Sequence, residues 1–397
     1  MKILVVVSSL DLTQPFSATP AWWMLLKGLY ETGVEVLATP YQGPAIESLW
    51  WQALDNPAKW QGDFFKTARD TVQKVLPERP VQMSDNDDSN TESLSDTVTR
   101  RTAQTLIAPL WHNHLDNILT QQPDIDAVLV LTVPLNHLNG VPRDLSQKHN
   151  IPFFYFDGDV PASLPNMKGF ASGFRIYQGA DVSDYTAFIS NSKGGEALLK
   201  ELGVENTHTV FYAADPDVYA PLDIDSQDID CFFYGHGREY RAEWIESMIT
   251  LPSKNMPETQ FRVRGTKLGD IGQAQQLPYL SFSKLREYVC RSKLNLCITR
   301  GAHASVYASS SMRPFELASM GACIVANPYD GLETWFEPER EILIVDSAEE
   351  AQERYTYLLS HDTERQKIGR AARERVLKEH TFRHRARELR QIIASYL

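Results

Sequence analysis

Leu294-Asn295-Leu296-Cys297-Ile298-Thr299-Arg300-Gly301 and, a few residues on, Ser309-Ser310-Ser311-Met312-Arg313-Pro314-Phe315-Glu316-Leu317-Ala318-Ser319-Met320-Gly321-Ala322-Cys323-Ile324-Val325 read as strand, loop, short helix, strand. Pro314 suits the first helical position and Gly321 the position just past the last one, which predicts a helix over 314–320. Such a helix begins at the carboxyl ends of the strands, where open α/β sheets bind ligands. Its free amides and dipole attract phosphate, and Arg313 adds a fixed bidentate charge. Glu316 falls in the expected first turn, where a carboxylate can accept two hydrogen bonds from a sugar diol; plain helix-start chemistry accounts for it equally well.

The same rhythm extends in both directions. Apolar runs rich in Val, Ile, Phe and Tyr alternate with amphipathic segments, a pattern of βα units covered by helices on both faces. The first half predicts strands at Ile3–Val7, Val34–Ala38, Ala127–Leu131, Pro152–Phe156, Ala187–Ser190 and Thr209–Tyr212, with a helix over Ala21–Glu31 closed by Gly33. Residues 78–97 offer a core almost nothing and are expected to form a mobile surface insertion. Trp50, Trp51 and Trp60 precede it; packing under a loop or a sugar-stacking platform would each use such indoles.

Ala214-Asp215-Pro216-Asp217-Val218-Tyr219-Ala220-Pro221 and the acidic run to Asp230 break the pattern as an interdomain linker does. A second set of units follows, with strands at Ile229–Tyr234, Gln260–Arg264, Leu294–Ile298, Cys323–Ala326 and Ile342–Val345. Helices are expected near Glu239–Thr250, Lys284–Arg291 and Ala348–Ser360, the last opened by the capping box Ser347-Ala348-Glu349-Glu350. Two α/β sheets of similar size facing a cleft result, with domains over 1–220 and 221–380 and a terminal helix over 381–397.

With 397 residues and a formal charge of −12, the chain has an ordinary globular composition, and gripping nucleic-acid backbone is excluded as its main task. Cys231, Cys290, Cys297 and Cys323 lie in apolar runs without zinc-ligand spacing, and are expected to be reduced structural thiols. The apolar start is too short to span a bilayer and carries no cleavage site, so a cytoplasmic location is expected. From His361 onward ten Lys/Arg face five Asp/Glu, as on a solvated helix face, with weak peripheral contact to an anionic membrane as the rival reading. His112 and His114, two apart on an expected helix, point to opposite sides and cannot share a metal.

From Leu294 to about Leu397 the chain resembles the second domain of GT-B glycosyltransferases, most closely the spore-maturation-protein-like (CgeB-type) branch related to the group-1 families. The matches are Ile298-Thr299-Arg300, Arg313-Pro314-Phe315-Glu316 with Gly321-Ala322, Asp330-Gly331-Leu332-Glu333-Thr334-Trp335-Phe336-Glu337-Pro338, and His380-Thr381-Phe382-Arg383-His384-Arg385-Ala386. The linker at Ala214–Tyr219 also looks like the family's segment closing the first domain. The resemblance implies two Rossmann-like domains, a terminal helix that crosses back to the first, and a ribose-binding role for Glu316. One departure is that Ala308 stands where many group-1 enzymes carry a second glutamate, eight residues before Glu316.

Further candidates lie at other strand ends. Gly235-His236-Gly237-Arg238-Glu239-Tyr240-Arg241 lets backbone approach a diphosphate, with Arg238 and Arg241 to neutralise it, though it lacks the third glycine of a dinucleotide fingerprint. Arg264-Gly265-Thr266-Lys267 has a similar case, with Lys267 as the phosphate ligand. Phe156-Asp157-Gly158-Asp159 has the D-x-D form with which GT-A enzymes hold a divalent ion. The two-sheet layout favours a metal-independent reading, in which Asp157 or Asp159 faces the cleft as a general base, with His137 as a second candidate.

The expectation is therefore a transferase that moves a sugar from a nucleoside-diphosphate-sugar to a carbohydrate, protein or small-molecule acceptor, with no cofactor. Arg313, Arg300, Arg238 or Lys267 would stabilise the departing diphosphate. A nucleotide-sugar epimerase of the same fold and a non-catalytic binding protein are the alternatives, the latter favoured by Ala308.

Overall fold

Ile3, Val5 and Val7 face one core and Leu4 and Val6 another, so the first strand, β1 (Lys2–Ser9), has no polar side at all. A strand buried on both faces is the mark of a parallel sheet sandwiched by helices. In the computed structural model, which describes residues 1–11, 21–59, 100–165, 176–237 and 241–397, that is its setting. After β1 come α1 (Ala21–Glu31), β2 (Glu35–Gln42), β3 (Gln52–Ala53), α2 (Ala108–Gln121), β4 (Ala127–Leu131), α3 (Val141–His149), β5 (Phe153–Asp157), β6 (Ala187–Ser190), α4 (Gly195–Glu201) and β7 (Thr207–Thr209). Among the described residues these strands form one parallel sheet in the order β3-β2-β1-β4-β5-β6-β7.

The second sheet repeats the plan. It uses β8 (Ile229–His236), α5 (Ala242–Ile245), α6 (Leu251–Asn255), β9 (Phe261–Thr266), β10 (Gln275–Leu277), α7 (Phe282–Arg291), β11 (Ser292–Cys297), α8 (Gly301–Ala304), α9 (Met312–Ser319), β12 (Ile324–Ala326), β13 (Leu343–Ile344), α10 (Ala348–Leu359) and α11 (Asp362–Glu379). Its order is β10-β9-β8-β11-β12-β13, again parallel. The last helix, α12 (Phe382–Ala394), leaves this domain and packs on α1 of the first.

Differences from the sequence reading have local causes. The expected strand at Thr209–Tyr212 ends at Thr209, because the Tyr212 amide donates instead to Ser310 Oγ of the second domain at 2.9 Å. The helix placed over 314–320 starts at Met312, which puts Pro314 at its third position, where a missing N–H still costs no helical bond. β3 and β10 are edge strands of two and three residues, too short to show as runs. The insertion at 78–97 and Trp60 lie outside the described residues. Trp50 and Trp51 pack with Trp23 edge to face, at 4.6 and 5.5 Å between ring centroids. All four cysteines are free thiols, and only Cys290 is not fully buried. No described helix is long and apolar enough to cross a membrane.

Among the contacts that join the domains and their linker, three groups stand out. Lys27 of α1, nearly buried, donates from Nζ to Asp215 and Asp217 of the linker at 2.7 Å each. Residues 306–310 lie along the end of β6: Lys193 N donates to Ala308 O, Gly194 N to Tyr307 O and Ser310 N to Asn191 O, at 2.9–3.1 Å. The crossing helix makes the third. Gly28 is where α1 and α12 meet most closely, since a Cβ there would sit 2.7 Å from the Phe382 carbonyl oxygen.

Gly28→Ala should therefore destabilise the fold by about 1–3 kcal/mol, the range for overpacking, although alanine in an open helix would add up to about 1 kcal/mol. Urea unfolding checks the sign, and a raised midpoint would contradict the close crossing. Acid should also weaken the fold through His380 at the start of α12. Burial, then the Arg385 charge, hold its imidazole down at about 3. In the unfolded chain it titrates near 6.5, so the unfolded state binds the extra proton and stability falls as pH drops from about 6.5 toward 3. His380→Gln should remove up to about 1.4 kcal/mol per pH unit from that slope between pH 6 and 4; an unchanged slope would contradict a neutral buried His380.

Candidate functional site

β8 ends in Tyr234-Gly235-His236, and the glycine exists there for space. A Cβ on Gly235 would lie 2.9 Å from Nη2 of Arg313, and one on Gly265 would run into the Gly235 carbonyl. Relieved of both side chains, the ends of β8 and β9 close together over the Arg313 guanidinium. That group stacks on Tyr234 at 4.7 Å and on Phe233 at 5.5 Å from the ring centroids. Its only hydrogen bond among the described residues is a long one, Nη1 to Ile298 O at 3.4 Å, and its buried Nε has no acceptor.

Arg264 sits beside Tyr234 in the β8–β9 register. It is 9% exposed, lies over the Tyr279 ring at 4.9 Å, and among the described residues has neither a hydrogen-bond acceptor nor a carboxylate partner. Burial, with the like charge of Arg313, pushes its guanidinium down from the usual range. The buried Arg264 and the half-buried Arg313 share one strand-end groove, and no anion is bonded to either among the described residues. Unpaired buried charge is costly, and a strong anion bound there would relieve that cost.

The neighbouring candidates divide by what holds them. Arg241 is a brace for the loop, donating from Nε to Ile298 O at 3.1 Å and from Nη1 to His236 O at 2.9 Å. Gly237 packs against the Lys267–Leu268 backbone, and Lys267 itself is exposed, with left-handed backbone at φ 56°. Arg238 lies outside the described residues.

Glu316 departs from its expected setting. Because α9 starts at Met312, Glu316 falls beyond the first turn, and the dipole argument for it lapses. Its carboxylate is 3% exposed and accepts from two tyrosines: Tyr219 Oη to Oε1 at 2.8 Å and Tyr234 Oη to Oε2 at 2.8 Å. Burial, then the Glu316 charge, hold both phenols well above their usual range.

On the first-domain side, Asp157 is corrected. It does not face the cleft: it is fully buried, accepts from Ser163 Oγ at 2.5 Å, Tyr177 Oη at 2.6 Å and Asp159 N at 2.9 Å, and burial raises its pKa. It shapes its own loop and is unavailable as a base. Asp159 points the other way, to an ion pair with Arg300 of the second domain, beside His303 Nε2 at 3.6 Å. The D-x-D pair thus diverges and offers no shared metal position. His137 stands at the carboxyl edge of the first sheet, hydrogen-bonded through Nδ1 to Tyr41 Oη at 2.6 Å, and burial brings it down to about 4. The structure does not bring it to the Arg313 groove through any described contact.

Ala308 has a physical reason to lack a carboxylate. It is enclosed, has φ 46°, donates its N–H to Asp330 O at 2.9 Å, and packs on Gly331, whose Cβ would lie 3.0 Å from the Ala308 Cβ. With its carbonyl bonded to Lys193, it belongs to the interdomain strap rather than to a pocket.

Sequence reasoning weighed Lys267 and missed Arg264, three residues earlier in the same quoted tetrapeptide, and it missed Tyr219 and Tyr234. A signal existed for Arg264 and Tyr234: each directly precedes a glycine near the carboxyl end of its strand.

Residues 238–391 match the family model described as glycosyl transferase-like. A comparison with curated protein sequences finds no match. Among solved structures, sucrose-phosphate synthase from Thermosynechococcus elongatus aligns over 100% of this chain and 99% of its own, with TM-score 0.63 and 13% identity. HepE from Anabaena in complex with UDP and glucose aligns over 100% of both chains, with TM-score 0.61 and 12% identity. A glycosyltransferase from Rickettsia africae covers 100% and 98%, with TM-score 0.57 and 10% identity. Two parallel sheets joined by one linker, with a last helix that returns to the first, give this chain the GT-B fold of glycosyltransferases.

Proposed function

We propose that the protein is a glycosyltransferase that moves a sugar from a nucleoside-diphosphate-sugar to an acceptor hydroxyl, and that it belongs to the spore-maturation-protein-like branch of its fold. The observation that carries the reading is the pair Arg313, half-buried with its Nε sequestered, and Arg264, buried, which lie at the ends of β8 and β9 with no carboxylate bonded to either among the described residues, in a chain of net charge −12. Acidic partners are abundant in the sequence, yet none is bound to either group among the described residues. A diphosphate supplies the missing charge, and the solved HepE complex with UDP and glucose makes UDP a reasonable first probe.

As the glycosidic bond breaks, negative charge grows on the departing diphosphate. Arg313 is held in place by two aromatic faces before substrate arrives, so it stabilises that charge without reorganising. The leaving group's charge is carried by arginine, and activity should survive EDTA. Asp159, the carboxylate that reaches the interface from the first domain, takes the acceptor proton in this scheme. Its Arg300 partner comes from the opposite domain, so the base is in place only when the domains are together.

Arg313→Ala should lower turnover about 10²–10³-fold, equivalent to about 2.7–4 kcal/mol of barrier, in a protein with wild-type unfolding behaviour. Wild-type turnover with a competent donor would remove Arg313 from the mechanism, and product analysis separates transfer from epimerisation. Arg264→Ala should weaken UDP binding by roughly tenfold or more in calorimetry, as expected for losing a charge-assisted hydrogen bond. Unchanged UDP affinity would place Arg264 outside the anion site.

A further inference from the structure

Glu316 is a buried carboxylate with only two hydrogen bonds, both from neutral hydroxyls, and no cation bonded to it among the described residues. An ionised carboxyl group has about four lone-pair positions and a high cost of burial, so two unused positions call for further donors. This inference rests on the proposed donor site: if Glu316 there binds the nucleotide ribose, the role that the family resemblance implies, the two ribose hydroxyls are those donors. The tyrosines then decide which way the free lone pairs point.

The two tyrosines are not equivalent. Tyr234 belongs to β8 and shares its ring with Arg313, so it is part of the anion site itself. Tyr219 comes from the linker. Two residues before it, Asp217 is bonded to Lys27 of α1, which holds the linker to the first domain. From Tyr219 onward the contacts change owner: its ring meets Phe282 of α7 edge to face at 5.3 Å, and Arg286 donates to Ala220 O at 2.8 Å. The chain passes from one domain to the other at Val218, and the first residue beyond is bonded to the donor-site carboxylate.

We propose that Tyr219 is a positioning residue for nucleotide recognition: its hydroxyl, fixed by the linker, holds the Glu316 carboxylate with its free lone pairs toward the ribose diol. It touches no substrate. The consequence is that the donor site senses the domain hinge through one hydrogen bond, and a linker displaced from α7 would release Glu316 from its bonding orientation.

The test compares calorimetric affinities for UDP and 2′-deoxy-UDP, with ADP and 2′-deoxy-ADP as a second pair. The ratio of ribo to deoxyribo affinity reports Glu316 alone, whereas general loosening weakens both members equally. Wild-type protein is expected to prefer the ribonucleotide, and Glu316→Ala to lose the preference. Tyr219→Phe keeps the ring against Phe282 and removes only the hydroxyl; it should shrink the preference by roughly two- to tenfold while leaving the deoxynucleotide affinity unchanged. Tyr219→Leu, which also lacks the hydroxyl, should shift the ratio in the same direction if the phenylalanine variant does not fold. A wild-type ratio in a folded Tyr219 variant, with the preference lost in Glu316→Ala, would overturn the positioning role and leave the donor-site reading standing. A wild-type ratio in Glu316→Ala, or no preference in the wild-type protein, would overturn the ribose reading and the Tyr219 proposal with it.

Discussion

Arg313 is held by the faces of Tyr234 and Phe233, under a glycine, with its Nε shut away from any acceptor. Aromatic packing fixes a guanidinium in that position, and in the proposed function an anion completes it. Several features of the second domain follow from accommodating this one group. Gly235 removes the side chain that would displace it, Gly265 removes the one that would collide with the Gly235 carbonyl, β8 and β9 approach until Tyr234 and Arg264 lie side by side, and Tyr234 turns its hydroxyl away to Glu316. Arg313 and Glu316 thus meet one tyrosine, the first at its ring and the second at its hydroxyl.

The first domain enters this arrangement through few contacts. The strap at residues 306–310 fixes the loop immediately before α9 to the end of β6, so the segment that presents Arg313 is anchored to both sheets. The Asp159–Arg300 pair spans the same interface. Interdomain contacts of this polar kind permit motion between domains.

Much of the fold was legible because the physics that builds it is local. Doubly buried strands such as Ala127–Leu131 and Ala187–Ser190 announce themselves as unbroken apolar runs, and the linker does so by its turn residues. The Arg313–Glu316 block was legible as the start of a helix, although the helix begins two residues earlier than Pro314 suggested. The site was harder to read because its groups meet through tertiary contact. Nothing near Asp157 foretold that Ser163 and Tyr177 would enclose it, and nothing near Glu316 pointed to tyrosines 97 and 82 residues away. Arg264 carried a cue in the glycine that follows it, but its lack of a partner among the described residues is a property only of the folded molecule.

The central claim is that the Arg313–Arg264 groove is completed by a diphosphate. Comparing the thermal unfolding midpoint in UDP and in uridine at equal concentration tests it most directly, because a ligand that binds only the folded state raises that midpoint. The account predicts a concentration-dependent rise with UDP that uridine does not reproduce. Equal shifts from the two, or none from any nucleoside diphosphate, would contradict it.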